Sequence, residues 1–168
     1  MRALVVYESM FGNTHRIAAA IADGMSDGAD VALTDVAQAP PAIPADVDLV
    51  VVGGPTHVFS MSRDATRREA ARRGGAVTDA DKGIREWLEA LAATDRPIPF
   101  AAFDTRVDDM ALLPGAASHA ATRIARKLGF KTEEPMSFLV KGYEGPLVDG
   151  ELDSAREWGH GLTEQLAG

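Results

Sequence analysis

The sequence predicts a single α/β domain whose parallel sheet is wound in both directions and covered by helices on both faces. Three observations predict it. Short β-rich runs alternate with helical segments as a βα unit repeated along the chain. The run Asp48-Leu49-Val50-Val51-Val52-Gly53 lacks polar alternation, as a parallel strand buried on both sides requires. The chain's 168 residues match one domain of ordinary size. Strands that alternate with helices are joined by right-handed crossovers, and each crossover must cover the sheet it spans.

Residues 2–7, RALVVY, form the first strand, followed by the loop ESMFGNT. A helix from Thr14 to Met25 carries Ile17, Ile21 and Met25 at four-residue spacing and stops before Ser26-Asp27-Gly28. The second strand spans 30–35, with Val31, Leu33 and the adjoining Val36, and APPAIPAD from Ala39 to Asp46 is a turn-rich connector. Strand three covers 48–53, and GGPTHVFSMS after it is a loop. RDATRREAARRGG has good helix propensity and a poor apolar face, which predicts a surface helix. Asp81 to Ala93 is a better amphipathic helix, with Ile84, Trp87, Leu88 and Leu91 on one side. Strand four is expected at 98–103, and DTRVDDMALLPG is a loop. A helix over 115–128 is expected to bury Ala120, Ile124 and Leu128, with Gly129 as its stop. Met136–Val140 supplies the fifth strand, GYEGPLVDG turns, and 151–166 is a last helix carrying Leu152, Ala155, Trp158, Leu162 and Leu166.

Hydrophobic residues make up 46% and charged residues 25% of the chain, the composition of a folded globular protein. The absence of cysteine excludes disulfides, thiolate nucleophiles, Cys-ligated zinc and iron–sulfur centres. Redox chemistry here therefore needs a cofactor that carries its own electrons. The first apolar run is too short for a signal sequence and no stretch approaches a membrane span, so a cytoplasmic address is expected.

In a doubly wound sheet the ligand site lies beyond the carboxyl ends of the strands, where the winding reverses. After strand one, Ser9, Met10, Phe11, Gly12, Asn13 and Thr14 bring two hydroxyls, an amide and a glycine to the unpaired N–H groups of a helix start. Such a loop can wrap a phosphate, with Ser9 and Thr14 donating and Gly12 admitting close backbone approach. The alternative is that Asn13 or Thr14 only caps the helix. His15 is expected to face solvent. After strand three, Pro55, Thr56, His57, Val58 and Phe59 offer a rigid bend with apolar and aromatic cover for a planar ligand, and Met61 is a further cover. His57 reads either as a ligand contact or as loop packing. After strand four, Phe103, Asp104, Thr105 and Arg106 could meet a ring's polar edge, with Arg106 supplying positive charge to an anionic reduced ring, while Asp104, Asp108 and Asp109 either discourage a second negative charge or only solvate the rim.

The combination ESMFGNT, GGPTH and AFDT on a βα framework resembles the flavodoxin and flavodoxin-like family. The resemblance runs over essentially the whole chain. It implies a five-stranded parallel sheet of order 2-1-3-4-5, FMN held noncovalently at the junction of strands one and three, and electron transfer through the flavin. It maps the phosphate loop onto Ser9–Thr14 and the flavin loops onto Pro55–Phe59 and Phe103 through about Val107. Two departures stand out. Phe11 replaces an expected threonine, as in flavodoxin-like quinone reductases, and the third loop lacks the Tyr or Trp that commonly stacks on the flavin. The alternatives are an NAD(P)H-dependent quinone oxidoreductase using FMN, or a flavodoxin-fold binding or sensory domain that has lost it.

Net charge is −8, yet residues 60–75 hold Arg63, Arg67, Arg68, Arg72 and Arg73 against Asp64 and Glu69. That run reads as a dock for an acidic reductase or a pyridine-nucleotide phosphate, or as a solvated helix face. A redox protein partner or NAD(P)H-linked reductase is expected, without nucleic acid or membrane, and with monomer and homodimer both open. No Gly-Lys-Ser/Thr loop, no GxGxxG after strand one and no aspartate ending strand three are present, which argues against P-loop, dinucleotide-binding and receiver-type chemistry.

Overall fold

The computed structural model describes residues 1–57, 59–113 and 115–168. In chain order its strands are β1 (Arg2–Tyr7), β2 (Asp30–Asp35), β3 (Leu49–His57), β4 (Ser60–Met61), β5 (Pro99–Val107), β6 (Lys131–Thr132) and β7 (Met136–Val140). The helices are α1 (Asn13–Met25), α2 (Asp64–Arg72), α3 (Ile84–Ala90), α4 (Ala117–Lys127) and α5 (Glu151–Ala167).

The sheet order is β2-β1-β3-β5, with β6 and β7 both parallel to β5 along its remaining edge. This is the expected 2-1-3-4-5 winding, with the fifth strand in two pieces. Pro135 has no N–H to give the ladder, and the strand breaks beside it. The short β4 adds an antiparallel hairpin at the end of β3, pairing Thr56 with Met61 and His57 with Ser60.

Side-chain alternation divides the core in two. Leu4, Val6, Val50, Val52, Phe100 and Ala102 pack with Ile84, Trp87 and Leu88 of α3 and Ala117, Ala121 and Ala125 of α4. Ala3, Val5, Leu49, Val51, Ala101 and Phe103 pack on the opposite face with Ile17, Ile21 and Met25 of α1 and Ala155 and Leu162 of α5. Gly24 and Gly159 let α1 and α5 touch backbone to backbone. A Cβ on Gly24 would stand 2.1 Å from the Arg156 carbonyl oxygen, and one on Gly159 2.3 Å from that of Ile21.

Two strands run further than their composition suggests. β3 continues through Gly53-Gly54-Pro55, residues that ordinarily break strands, because Gly54 and Pro55 pair with Asp104 and Thr105 of an equally extended β5. Gly53 is required there, since a Cβ would lie 2.0 Å from Cζ of Phe103. Conversely, α3 starts at Ile84 instead of Asp81, because the Gly83 amide donates 2.9 Å to Oε2 of Glu86 and closes the helix start.

The segment expected as a solvated helix holds the largest fully buried side chain in the described structure, Arg67, at 1% exposure. Its Nε donates 2.6 Å to the Ala80 carbonyl, Nη1 2.8 Å to the Ser62 hydroxyl and Nη2 2.8 Å to Oε1 of Glu86. Nη1 also stands 3.6 Å from Oε1 of Glu8, which itself accepts from the Ser62 hydroxyl at 2.6 Å. Burial raises the Glu8 pKa, with the Ser62 bond and Arg67 opposing it. Arg68 pairs with Asp81, and Arg72 and Arg73 both pair with Glu69. Four of the five arginines of the run are thus paired with carboxylates, two of them sharing Glu69.

Candidate functional site

Four chain segments meet beyond the carboxyl end of the sheet: the β1–α1 loop, the ends of β3 and β5, and the loop after β7. Between them lies one cleft with two ends. Ser9, Phe11, Asn13, Thr14, Pro55 and Thr105 line its narrow end, and Phe59, Thr66 and Met110 line its wide end, which encloses about 330 Å³. Thr56, His57, Arg106, Val107 and Tyr143 belong to both.

The narrow end is built by the start of α1. Gly12, not Asn13 or Thr14, caps this helix, with φ of +89°, a left-handed conformation suited to glycine. A Cβ there would meet nothing within 4 Å, so the space over Gly12 is open. Among the described residues, no backbone amide from Ser9 to Thr14 donates to a backbone carbonyl, whereas the neighbouring Glu8 amide donates to Gly53 and that of Arg16 to Gly12. Those of Asn13 and Thr14 are helix-terminal donors, and those of Ser9 to Gly12 belong to the loop that leads into the helix. The Ser9 hydroxyl is buried without a partner. Thr14, 2% exposed, shares a 2.7 Å hydrogen bond with the Thr105 hydroxyl, which ties the loop to β5. His15 is exposed, as expected, and stacks on Tyr7 at 4.9 Å.

Asn13 has a different task. Its Nδ2 donates 3.0 Å to the Glu144 carbonyl, and Gly145 sits so close that a Cβ would fall 2.7 Å from that nitrogen. The loop after β7 is thereby clamped to the start of α1, and Tyr143 is brought into the cleft. Its ring lies 5.6 Å from Phe11 and 5.9 Å from His57, and the Arg73 guanidinium lies 5.1 Å from its centroid. The third loop brings no Tyr or Trp to the cleft, whereas the loop after the fifth strand brings Tyr143. Only the GY pair after Val140 hinted at it in the sequence.

His57 ends β3 in the cleft wall, 8% exposed, with Nδ1 buried and unpartnered. Burial first, and then the nearby Arg67 charge, push its pKa down to about 4. The imidazole is neutral at physiological pH. Phe59, at φ +62° and 44% exposed, covers the wide end. Val58 lies outside the described residues.

Thr56 and Asp104 point to α4. The Ala117 amide donates 3.0 Å to the Thr56 hydroxyl and the Ser118 amide 3.1 Å to Oδ2 of Asp104, so strand side chains satisfy the first amides of that helix. Asp104 is fully buried, also accepts 3.2 Å from the Ser137 hydroxyl, and does not line the cleft. Nor does Phe103, which is 1% exposed within the core, 6.2 Å from Phe138 and 6.3 Å from Trp158. Both were expected at the site. Because β5 continues to Val107, 103 and 104 lie inside the strand, and only Thr105, Arg106 and Val107 reach its ligand end. Met10 lines the cleft but is 4% exposed, and its carbonyl accepts from the Ala76 amide at 2.7 Å.

Sheet order, helices on both faces and a cleft at the strand-order reversal define a flavodoxin-like fold. Solved structures agree with that class. An archaeal flavodoxin is similar over 100% of both chains with a TM-score of 0.68 at 20% identity. A Streptococcus pneumoniae flavodoxin matches 98% of this chain and 99% of its own with a TM-score of 0.64 at 15% identity. A flavodoxin, WrbA-like protein from Agrobacterium tumefaciens matches 99% of this chain and 97% of its own, with a TM-score of 0.58 at 18% identity. No protein-family model matches the chain, and comparison with curated proteins finds no match.

Proposed function

We propose that this chain binds FMN and carries electrons through it to a redox protein partner or from an NAD(P)H-linked reductase. One observation carries the reading: among the described residues the amides from Ser9 to Thr14, which lead into α1, donate to no backbone carbonyl, and the Ser9 hydroxyl beside them has no partner. Neutral donors converging at a helix N-terminus suit a phosphate group. The donor chemistry of the whole cleft fits the rest of FMN. Of the five buried polar side-chain atoms without a partner among the described residues, three belong to cleft residues: Ser9 Oγ, His57 Nδ1 and Arg106 Nε. The wide end is mainly apolar, suited to a flat ring.

When bound, FMN supplies the redox-active ring, and no side chain need act as a nucleophile. The chain's own residues bind and shield. Ser9 and Thr14 offer hydroxyls at the narrow end, while Gly12 leaves the backbone open to approach. Phe59, Tyr143 and Met110 exclude water from the wide end, and His57 stays uncharged in the wall between. Among the described residues no helix is long and apolar enough to cross a membrane. A cytoplasmic address remains part of this proposal.

The test is the absorption spectrum of the purified protein before and after FMN addition, followed by titration through quenching of flavin fluorescence. Wild type is expected to bind. Thr14→Ala removes a hydroxyl and frees that of Thr105, and a lost hydrogen bond to a charged group of about 1.5 kcal/mol weakens binding about tenfold. Gly12→Val places a branched side chain in the open space at a backbone conformation it resists, and is expected to weaken binding at least as much. Wild type that neither retains nor binds FMN overturns the reading.

A further inference from the structure

We infer that Arg106 sets the electron count of the cleft, favouring the anionic, two-electron-reduced ring of a bound flavin over its other redox states, so that the protein exchanges electrons in pairs. This rests on the flavin reading above and deepens it.

The chain carries 25 Asp and Glu residues, yet none lines either end of the cleft, and Arg106 is the only charged lining side chain among the described residues. Its position is fixed. Nη2 donates 2.7 Å to the Met110 carbonyl and 2.8 Å to that of Leu113, which ties the guanidinium to the loop after β5. Nε is buried with no partner among the described residues. No carboxylate among the described residues stands within ion-pair distance of it. Asp108 and Asp109 are exposed, and Asp104 accepts from Ser118 and Ser137 in an interior that raises its pKa, a rise that the charge of Arg106 partly opposes from beyond ion-pair distance.

A hydride donor of the reduced pyridine-nucleotide class delivers two electrons and one proton to the neutral oxidised ring. The ring then carries one negative charge, and the donor leaves oxidised by two electrons. Apolar walls strengthen the attraction between that charge and a fixed guanidinium, whereas exposed carboxylates farther than about 10 Å are largely screened. The neutral half-reduced ring gains no such charge interaction. The cleft therefore lowers the fully reduced state relative to both others, and the electrons leave together to a two-electron acceptor.

The experiment compares wild type, Arg106→Gln and Arg106→Lys, each loaded with FMN. The Gln side chain keeps an amide donor for the loop carbonyls and removes the charge, and Lys keeps the charge. The readout is the ratio of affinities for dithionite-reduced and oxidised FMN, obtained from the two-electron potential of bound against free flavin. Arg106→Gln is expected to shrink that ratio at least tenfold, about 30 mV for a two-electron couple, while Arg106→Lys keeps most of it. A ratio unchanged in Arg106→Gln overturns the inference. That result would mean Arg106 only secures the loop or touches the phosphate, since either role changes both affinities alike. Wild type alone supplies a second measurement. Stepwise anaerobic reduction should pass from oxidised to fully reduced flavin through one isosbestic point, and accumulation of a half-reduced flavin radical would also overturn the inference. Failure of wild type to bind FMN is a separate result, visible before any variant is made, and removes the flavin reading along with this one.

Discussion

Replacing Arg67 by methionine tests whether the buried charge cluster under the first loop holds the cleft together. Methionine fills comparable volume, so the loss is mainly electrostatic. Glu8 loses the cation 3.6 Å away, the Ser62 hydroxyl and Glu86 each lose a donor at 2.8 Å, and the Ala80 carbonyl loses one at 2.6 Å. Glu86 is a third exposed and can turn to water. Glu8 cannot. Breaking a buried pair by removing one member costs about 3–5 kcal/mol, a large share of a domain stability of about 5–15 kcal/mol. The cost depends on pH with a definite sign. Burial raises the Glu8 pKa above the ordinary carboxylate range, so the native state holds that proton more tightly than the unfolded chain. Stability from this group falls as pH rises through the folded pKa, and without Arg67 that pKa climbs further. Urea unfolding followed by far-ultraviolet circular dichroism at pH 5 and pH 8 measures this. The variant is expected to lose about 3–5 kcal/mol at pH 8 and less as pH falls, the direction in which a carboxyl with a raised pKa gains its proton. A loss under about 1 kcal/mol at pH 8, or equal losses at both pH values, would refute the reasoning.

His57 gives the opposite pH dependence. Its folded pKa of about 4 lies below that of the unfolded chain, so its contribution is present above about pH 6.5 and is lost as pH falls toward 4. His57→Phe should remove up to about 3 kcal/mol of that acid dependence, read as a flatter plot of unfolding midpoint against pH, and an unaltered slope would place the titration elsewhere. Gly53→Ala drives a methyl group to 2.0 Å from Cζ of Phe103, an overpacking expected to cost about 1–3 kcal/mol. Thermal unfolding should show that loss largely recovered in Gly53→Ala with Phe103→Leu, and no recovery would mean that backbone conformation, not ring contact, requires the glycine.

The strand and helix order was legible because each principal strand carries a short stretch rich in apolar residues. Met136–Val140 appears at the boundaries its composition predicts, and α1 and α5 differ by a single residue at one end. What composition could not show was where strands outrun their apolar cores. Gly-Gly-Pro looks like a stop, but continued pairing with β5 carries β3 to His57, and the same extension keeps Phe103 and Asp104 in the interior. Arg67 was misread for a related reason. An arginine among arginines on a weakly apolar helix looks solvated, and its burial depends on Glu8, Ser62, Ala80 and Glu86, which lie 5 to 59 residues away and come together only in the folded chain.

Tyr143 shows why the two departures from the flavodoxin pattern belong together. Phe11 gives up a hydroxyl where a phosphate donor is common, and the third loop gives up a stacking ring. Taken separately, each subtracts from a flavin site. In the folded chain the Phe11 ring meets Tyr143 edge-on at 5.6 Å, Arg73 of α2's C-terminal cap lies over the same tyrosine, and Asn13 clamps the tyrosine's loop through Glu144. The tyrosine in the cleft therefore comes from the loop after β7 and not from the loop after β5, and the Phe11 ring packs against it. The end of β5 presents Arg106 to the same cleft, so on the proposed flavin reading the chain would cover the ring from the loop after β7 and place a cation where the third loop lacks an aromatic.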